Sequence, residues 1–112
     1  MARRTIDVVV PGRMIIDTVK KLAGDHFVIK SEYDKGREVF SIGQKSRHSS
    51  GSFIIQAEGE NRIDPKKQYE KISVVDHHWE GILFDSDGGA VARGVDAFSD
   101  KLRKSLTEKL DK

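Results

Sequence analysis

The sequence predicts an α+β domain, a two-layer sandwich in which an antiparallel sheet of five or six strands carries two helices on one face. Residues 5–10 alternate apolar and polar side chains, as a half-buried strand does. Residues 13–23 then repeat apolar side chains at helical spacing, and a second helical pattern closes the chain after several more alternating segments. The predicted order is therefore β-α-β4/5-α, in a single domain over residues 1–112.

The first strand and helix are the clearest local predictions. Pro11 and Gly12 end the strand, and Gly24 is placed to cap the end of the helix. The apolar side of the strand consists of Ile6, Val8 and Val10. The apolar stripe of the helix consists of Ile15, Ile16, Val19 and Leu22. Both elements are thus expected to bury one side against a common core.

A meander is predicted for the middle of the chain. Alternating segments flank the turn residues Asp34, Lys35 and Gly36, a pattern typical of a β-hairpin. Ile63 is expected to pin a longer connection to the body of the domain. Further strands are predicted over residues 52–58, 69–75 and 79–84, with a turn at 76–78 between the last two.

The final helix is predicted to follow a strong break at residues 85–89, two aspartates, a serine and two glycines. Its apolar stripe consists of Val91, Val95, Phe98, Leu102 and Leu106. Small residues in its first half favour a close approach to the sheet.

Composition excludes several functional classes. The chain has no cysteine, so disulfides, thiolate nucleophiles and thiolate zinc sites are excluded. Twenty Lys and Arg against eighteen Asp and Glu give a net charge of only +2, which permits a nucleic-acid partner without indicating one. No apolar run approaches the roughly 20 residues of a membrane span, so we expect a cytoplasmic protein without a membrane partner.

The order of elements resembles the helix-grip arrangement shared by TATA-binding-protein-like folds and START-type lipid- and polyketide-binding domains. The resemblance covers nearly the whole chain and rests on element order alone. It implies a curved sheet gripping the last helix. START-type domains typically have further helical structure after the first strand, whereas a strand follows Gly24 almost at once here. A ferredoxin-like sandwich is the alternative, and it would require a central helix that the sequence does not predict.

His77 and His78, flanked by Asp76 and Glu80, are the densest group of candidate metal ligands or acid–base groups. Neighbouring side chains on a strand point to opposite faces, so both histidines reach one ion only where the backbone turns. A polar turn beside Trp79 is the competing interpretation.

Asp85, Asp87 and Gly88 resemble the opening of a calcium loop, but the later ligands of that motif are missing. Gly88 and Gly89 before a helix also suggest a phosphate site, which the two aspartates would oppose. A simple turn into the helix is the favoured interpretation.

Basic residues between two predicted strands are the main candidates for ligand or nucleic-acid binding. Lysine and arginine contact phosphates and release counterions, and neighbouring hydroxyls add hydrogen bonds. The candidate binding residues are Lys45, Arg47, His48, Lys66 and Lys67, which Arg3 and Arg4 are expected to join along one edge of the sheet. A solvated loop remains the alternative.

Aromatic side chains offer a further candidate surface. Tyr33, Tyr69 and Trp79 would stack bases or bind a partner if they shared an exposed sheet face, whereas core packing is the ordinary expectation.

No serine elbow, helical zinc motif or cofactor fingerprint is found, so we expect a non-enzymatic binding or interaction module without a cofactor. We expect it to bind through its open sheet face or through the loop from Lys45 to Ser52. One alternative is a nucleic-acid-binding domain that uses the basic loop. Another is a carrier of small hydrophobic ligands, with a pocket between the last helix and the sheet. The partner is expected to be a protein or a nucleic acid, and a homodimer through an exposed strand edge or a sheet face is a further hypothesis.

Overall fold

The computed structural model describes residues 3–23, 27–44, 52–77 and 85–110. Its elements, in chain order, are β1 (Arg3–Pro11), α1 (Gly12–Ala23), β2 (Phe27–Asp34), β3 (Arg37–Gln44), β4 (Ser52–Ala57), β5 (Arg62–Ile63), β6 (Gln68–His77) and α2 (Asp85–Leu110). This confirms the α+β class. Within the described residues, no helix is both long and apolar enough to cross a membrane.

The six strands form one antiparallel sheet in the order β1-β6-β4-β3-β2, and the short β5 pairs with β3. The first strand therefore lies beside the last one. Thr5 faces Ser73 across this pair, and their hydroxyl oxygens are 3.2 Å apart. β1 and β2 form opposite edges of the main sheet path.

Two turns contain consecutive residues in the left-handed region. Lys35 and Gly36, with φ of 53° and 80°, join β2 to β3 and confirm the predicted hairpin. Glu58 and Gly59, with φ of 50° and 79°, turn the chain after β4. This ends β4 at Ala57, one residue before the predicted end of that strand.

Both helices contribute to the same hydrophobic core. The buried members from α1 and α2 are Ile15, Ile16, Val19, Val95, Leu102 and Leu106. They pack with sheet side chains that include Ile6, Ile42, Ile55, Ile72 and Val74. Ile63 is fully buried in the same cluster, so it pins the connection before β6 as predicted. The predicted apolar sides of β1 and α1 are thus confirmed.

Polar contacts reinforce the attachment of α2. Arg4 on β1 lies 3.1 Å from Asp96 and 3.7 Å from Asp100. Near the C-terminal end, Lys109 Nζ donates a 2.8 Å hydrogen bond to the hydroxyl of Thr18, which is completely buried in α1. The hydroxyl thereby avoids the cost of burial without a partner.

The strand β6 is longer than predicted. Asp76 pairs with Phe53 and His77 pairs with Ser52, so the predicted turn at 76–78 is wrong at its first two positions. The backbone of β4 supplies partners for both residues, and the ladder continues because strand pairing satisfies their N–H and C=O groups. His78 and the predicted strand at 79–84 lie outside the described residues.

The helix α2 begins at Asp85, so the predicted break at residues 85–89 is also wrong. Glycine inside a helix costs about 1 kcal/mol relative to alanine, a penalty that packing of the rest of a long helix can exceed. Gly24 lies outside the described residues.

Substitution of the two valines at the end of β1 tests which side of this strand faces the core. A register shift separates Asp7 from Val10, where Val9 is 60% exposed and Val10 is completely buried. We expect Val10→Ala to lower the free energy of unfolding by about 2 kcal/mol, because it removes buried methyl groups and leaves a cavity. The matched variant Val9→Ala should change it by less than about 0.5 kcal/mol. Urea denaturation measures both, and similar losses would contradict the assignment.

Candidate functional site

Three segments meet at one end of the sheet: the β1–α1 junction, the tip of the β2–β3 hairpin, and the turn before β6. The turn comprises residues 64–67, and its Lys67 N–H donates a 3.1 Å hydrogen bond to the carbonyl of Asp64. Asp64 Oδ1 accepts a second bond of 2.9 Å from the Lys66 amide. Aspartate stabilises such turns because its short side chain reaches the backbone two residues on.

This turn also binds the first amides of α1. Gly12 N–H donates to the carbonyl of Lys67 at 2.8 Å, and Arg13 N–H donates to that of Pro65 at 3.0 Å. The first amides of a helix have no partner within the helix, so the turn satisfies two of them. The phenol oxygen of Tyr69 accepts a 2.8 Å bond from the Asp64 amide and fixes the other side of the turn.

Gly12 makes this contact possible because it has no side chain. A Cβ atom at this position would overlap the carbonyl oxygen of Asp64 and lie 2.8 Å from its carbon. Both are backbone atoms, which move only with the turn itself. The helix and the turn therefore approach as closely as a glycine allows.

The three segments enclose a pocket of about 540 Å³, which we call the turn pocket. It is lined by Arg13, Tyr33, Gly36, Arg37, Glu38, Asp64, Pro65 and Lys66. Its charged side chains are three cations and two carboxylates. Tyr33 contributes an aromatic ring that is 75% exposed.

Both arginines of the turn pocket are held by neighbours. The Arg13 guanidinium lies 5.4 Å from the centre of the Phe40 ring, a cation–π arrangement, and 3.8 Å from Asp17. Arg37 Nη1 donates to Asp64 Oδ2 at 3.1 Å. The Asp64 side chain is only 14% exposed, whereas Arg37 is 60% exposed. Arg37 therefore keeps much of its donor surface in contact with solvent.

The two carboxylates of the turn pocket already have partners. Asp64 accepts from Arg37 and from the Lys66 amide, and Glu38 accepts a 2.6 Å bond from the Ser31 hydroxyl. These contacts engage both oxygens of Asp64 and the Oε2 atom of Glu38. The exposed donors of two guanidinium groups and one ammonium group remain as the chemistry available to a ligand. Such donors suit carboxylate and phosphate groups.

The structure describes only part of the predicted binding set. Lys66 lines the turn pocket, and Lys67 Nζ lies 5.1 Å from the centre of the Tyr69 ring. His77 ends β6, and only its backbone is described. The predicted site residues Lys45, Arg47, His48 and His78 lie outside the described residues.

The predicted basic edge divides between the two ends of β6. Arg3 pairs with Val75 near the end of that strand, whereas Lys67 directly precedes its first residue. About eight residues of strand separate the two positions, roughly 25 Å. Arg3 and Arg4 therefore do not join Lys66 and Lys67. The strand ends beside the basic loop, Gln44 and Ser52, also lie at the Arg3 end of the sheet.

The predicted aromatic surface is also divided. Tyr69 is 2% exposed and belongs to the core, whereas Tyr33 is 75% exposed in the turn pocket. The expected core packing is therefore confirmed for Tyr69, whose ring lies in the core and whose hydroxyl binds the 64–67 turn, and the alternative of an exposed face shared with Tyr33 is wrong. Trp79 lies outside the described residues.

Sequence reasoning missed Arg13, Arg37 and Asp64 as site residues. Each lies beside a turn signal: Arg13 after Pro11–Gly12, Arg37 after Lys35–Gly36, and Asp64 before Pro65. Turns at one end of a sheet are a common place for binding residues. The sequence alone does not show which turns lie at the same end of the sheet.

Within the part of the chain that the structure describes, no group of three or more His, Asp or Glu is arranged to hold a metal ion. A smaller pocket of about 290 Å³ lies on the sheet face away from the helices, beside Val28, Ser41, Gly43 and Ile54. Its lining is less charged, so the turn pocket is the stronger candidate site.

No family model, curated protein or solved structure matches this chain. The candidate site therefore rests on the geometry and charge of its own residues.

Two glycines test the contact between α1 and the turn. We expect Gly12→Ala to lower the free energy of unfolding by about 3 kcal/mol, because the new methyl group would overlap the Asp64 backbone. Gly43→Ala is the matched control, since its Cβ would meet Ile54 at an ordinary 3.8 Å. This control should leave stability unchanged or raise it by up to about 1 kcal/mol. Chemical denaturation measures both variants, and equal stabilities would contradict the close approach.

Proposed function

We propose that this chain is a non-enzymatic binding module that takes a small ligand bearing a carboxylate or phosphate group in the turn pocket. One observation carries the proposal: Arg13, Arg37 and Lys66, which come from three separate segments, line a single pocket. Fixed cations around a concave surface favour an anion more than the same cations spread over a flat surface.

The size of the turn pocket supports a small ligand. Pockets that bind small molecules typically measure about 300–1,000 Å³, and this one measures about 540 Å³. Its volume is sufficient for a charged group together with an organic body. The exposed ring of Tyr33 offers that body an apolar surface.

The arginine geometry supports recognition of a planar or tetrahedral oxyanion. A guanidinium group carries five N–H donors, and Arg37 uses Nη1 on Asp64. The cation–π contact with Phe40 and the nearby Asp17 carboxylate restrict the Arg13 guanidinium. A ligand then binds groups whose positions are already restricted, which reduces the entropy lost on binding.

The same observations favour a small anion over the alternative ligands. A long nucleic acid contacts phosphates along an extended basic surface, whereas the predicted basic residues that the structure describes, Arg3, Arg4, Lys66 and Lys67, fall at two distant ends of β6. An apolar ligand does not suit the turn pocket, because its lining carries five charged side chains. The nucleic-acid alternative is distinguished from a small anion by titration.

Titrations followed by amide NMR test the proposal, with inorganic phosphate, adenosine monophosphate and a single-stranded oligonucleotide as probes. We expect phosphate and the mononucleotide to shift the amides of residues 36–38, 64 and 66. Shifts that appear only with the oligonucleotide and fade as salt rises would favour the nucleic-acid alternative. No shift with any probe at millimolar concentration would contradict an anion site.

Two charge-neutralising variants separate a specific contact from general electrostatics. Lys66→Gln removes a cation that lines the turn pocket, and Lys101→Gln removes an exposed one on α2. Loss of an exposed charge contact worth about 1 kcal/mol should weaken mononucleotide binding about fivefold in Lys66→Gln. The Lys101→Gln variant should bind as the unaltered protein does. Equal weakening in both would show that only net charge matters.

A further inference from the structure

The two edges of the sheet differ in a way that bears on association. β1 contains a register shift between Asp7 and Val10 and ends at Pro11, and both features disfavour pairing with another chain. β2 pairs with β3 at every residue from Phe27 to Asp34 without a shift, and it contains no proline. β2 is therefore the edge without these protective features.

Exposed apolar side chains also concentrate on β2. Among the described residues, four large hydrophobic side chains are exposed, and two of them are Val28 and Tyr33 on this strand. Tyr33, at 75%, is the most exposed of the four. A strand pairing that covered β2 would remove this apolar surface from water.

The charges on β2 select one register for pairing with itself. Alternate residues turn their backbone groups away from β3, so residues opposite each other in a symmetric antiparallel pair lie an even number of positions apart. A pair centred on Ser31 places Lys30 opposite Glu32 of the second copy. The other opposed residues in this register are Val28 with Asp34, Ile29 with Tyr33, and Ser31 with itself.

The neighbouring registers are less favourable. A pair centred on Lys30 opposes two lysines. A pair centred on Glu32 places Lys30 opposite Asp34, but it opposes two glutamates at its centre and aligns only residues 30–34 within β2. Like charges directly opposite each other destabilise a strand pair. A pair centred on Ile29 aligns only residues 27–31 within β2. The register centred on Ser31 alone combines alignment of residues 28–34 with opposite charges across the seam.

We propose that two copies of this chain associate by antiparallel pairing of their β2 strands, centred on Ser31, to form one continuous sheet with all four helices on one face. Glu32 meets the Nε atom of Arg62 through Oε1 at 2.6 Å. Its Oε2 atom is left for Lys30 of the second copy. The proposal rests on β2 and not on the ligand of the turn pocket, although Tyr33 belongs to both surfaces.

Sedimentation equilibrium of the whole chain over a range of concentrations provides the first test. We expect a reversible monomer–dimer equilibrium. Each of the single variants Lys30→Glu and Glu32→Lys opposes like charges at both symmetric contacts, so each should raise the dimer dissociation constant at least about tenfold. Circular dichroism melting of the monomeric variants shows whether the fold is retained.

Charge complementation provides the decisive control. In a heterodimer of the two single variants, the carboxylate introduced at position 30 of one copy lies opposite the ammonium group introduced at position 32 of the other. The second contact joins the unaltered Glu32 and Lys30, so the heterodimer should form while neither variant dimerises alone.

The double variant Lys30→Glu/Glu32→Lys keeps the amino-acid composition of the original chain and should dimerise again. A chain that stays monomeric at all concentrations overturns the proposal. So does a dimer that both single variants form as readily as the unaltered protein.

Discussion

Pairing of β1 with β6 is the constraint on which the rest of the structure depends. It places the first strand beside the last, so that both helices lie over the same sheet face and share one core. The same alignment continues past the strand ends. Pro11 lies opposite Gln68, and the next residues, Gly12 and Lys67, are joined by a backbone hydrogen bond. A one-residue slip would reverse the faces of β1 and remove Gly12 from the turn.

The turn pocket is a by-product of this alignment. The 64–67 turn must reach the first amides of α1, and in doing so it brings Lys66 beside Arg13. The tip of the β2–β3 hairpin contributes Arg37, which donates a hydrogen bond to Asp64 and so connects the hairpin to the 64–67 turn. The contacts that stabilise this end of the domain also determine the positions of the cations that line the turn pocket. Structure and candidate function therefore depend on the same few residues here.

Local sequence patterns predicted the features that depend on neighbouring residues in the sequence. Alternation gave the buried side of β1, and Lys35–Gly36 gave the hairpin, because glycine readily adopts the positive φ that such a turn requires. The patterns failed at Asp76. The polar residues there predict a turn, but Asp76 pairs with Phe53 of β4 and continues the strand β6. The patterns also failed to group the cations of the turn pocket, because those residues lie in three turns that are adjacent only once the strand order is known. The strand order was not predictable from alternation, since any antiparallel arrangement buries the same faces.

The position of β1 beside β6 has a consequence for how the chain reaches its folded state. β2, β3 and β4 pair largely with neighbours in sequence, so their contacts close short loops. Thr5 and Ser73, in contrast, are 68 residues apart, and their pairing closes most of the chain into a loop. Loop-closure entropy and contact order both make such a pairing slow relative to local hairpins. During synthesis β1 is made well before β6, so the apolar side of β1 has no neighbouring strand until β6 has been made.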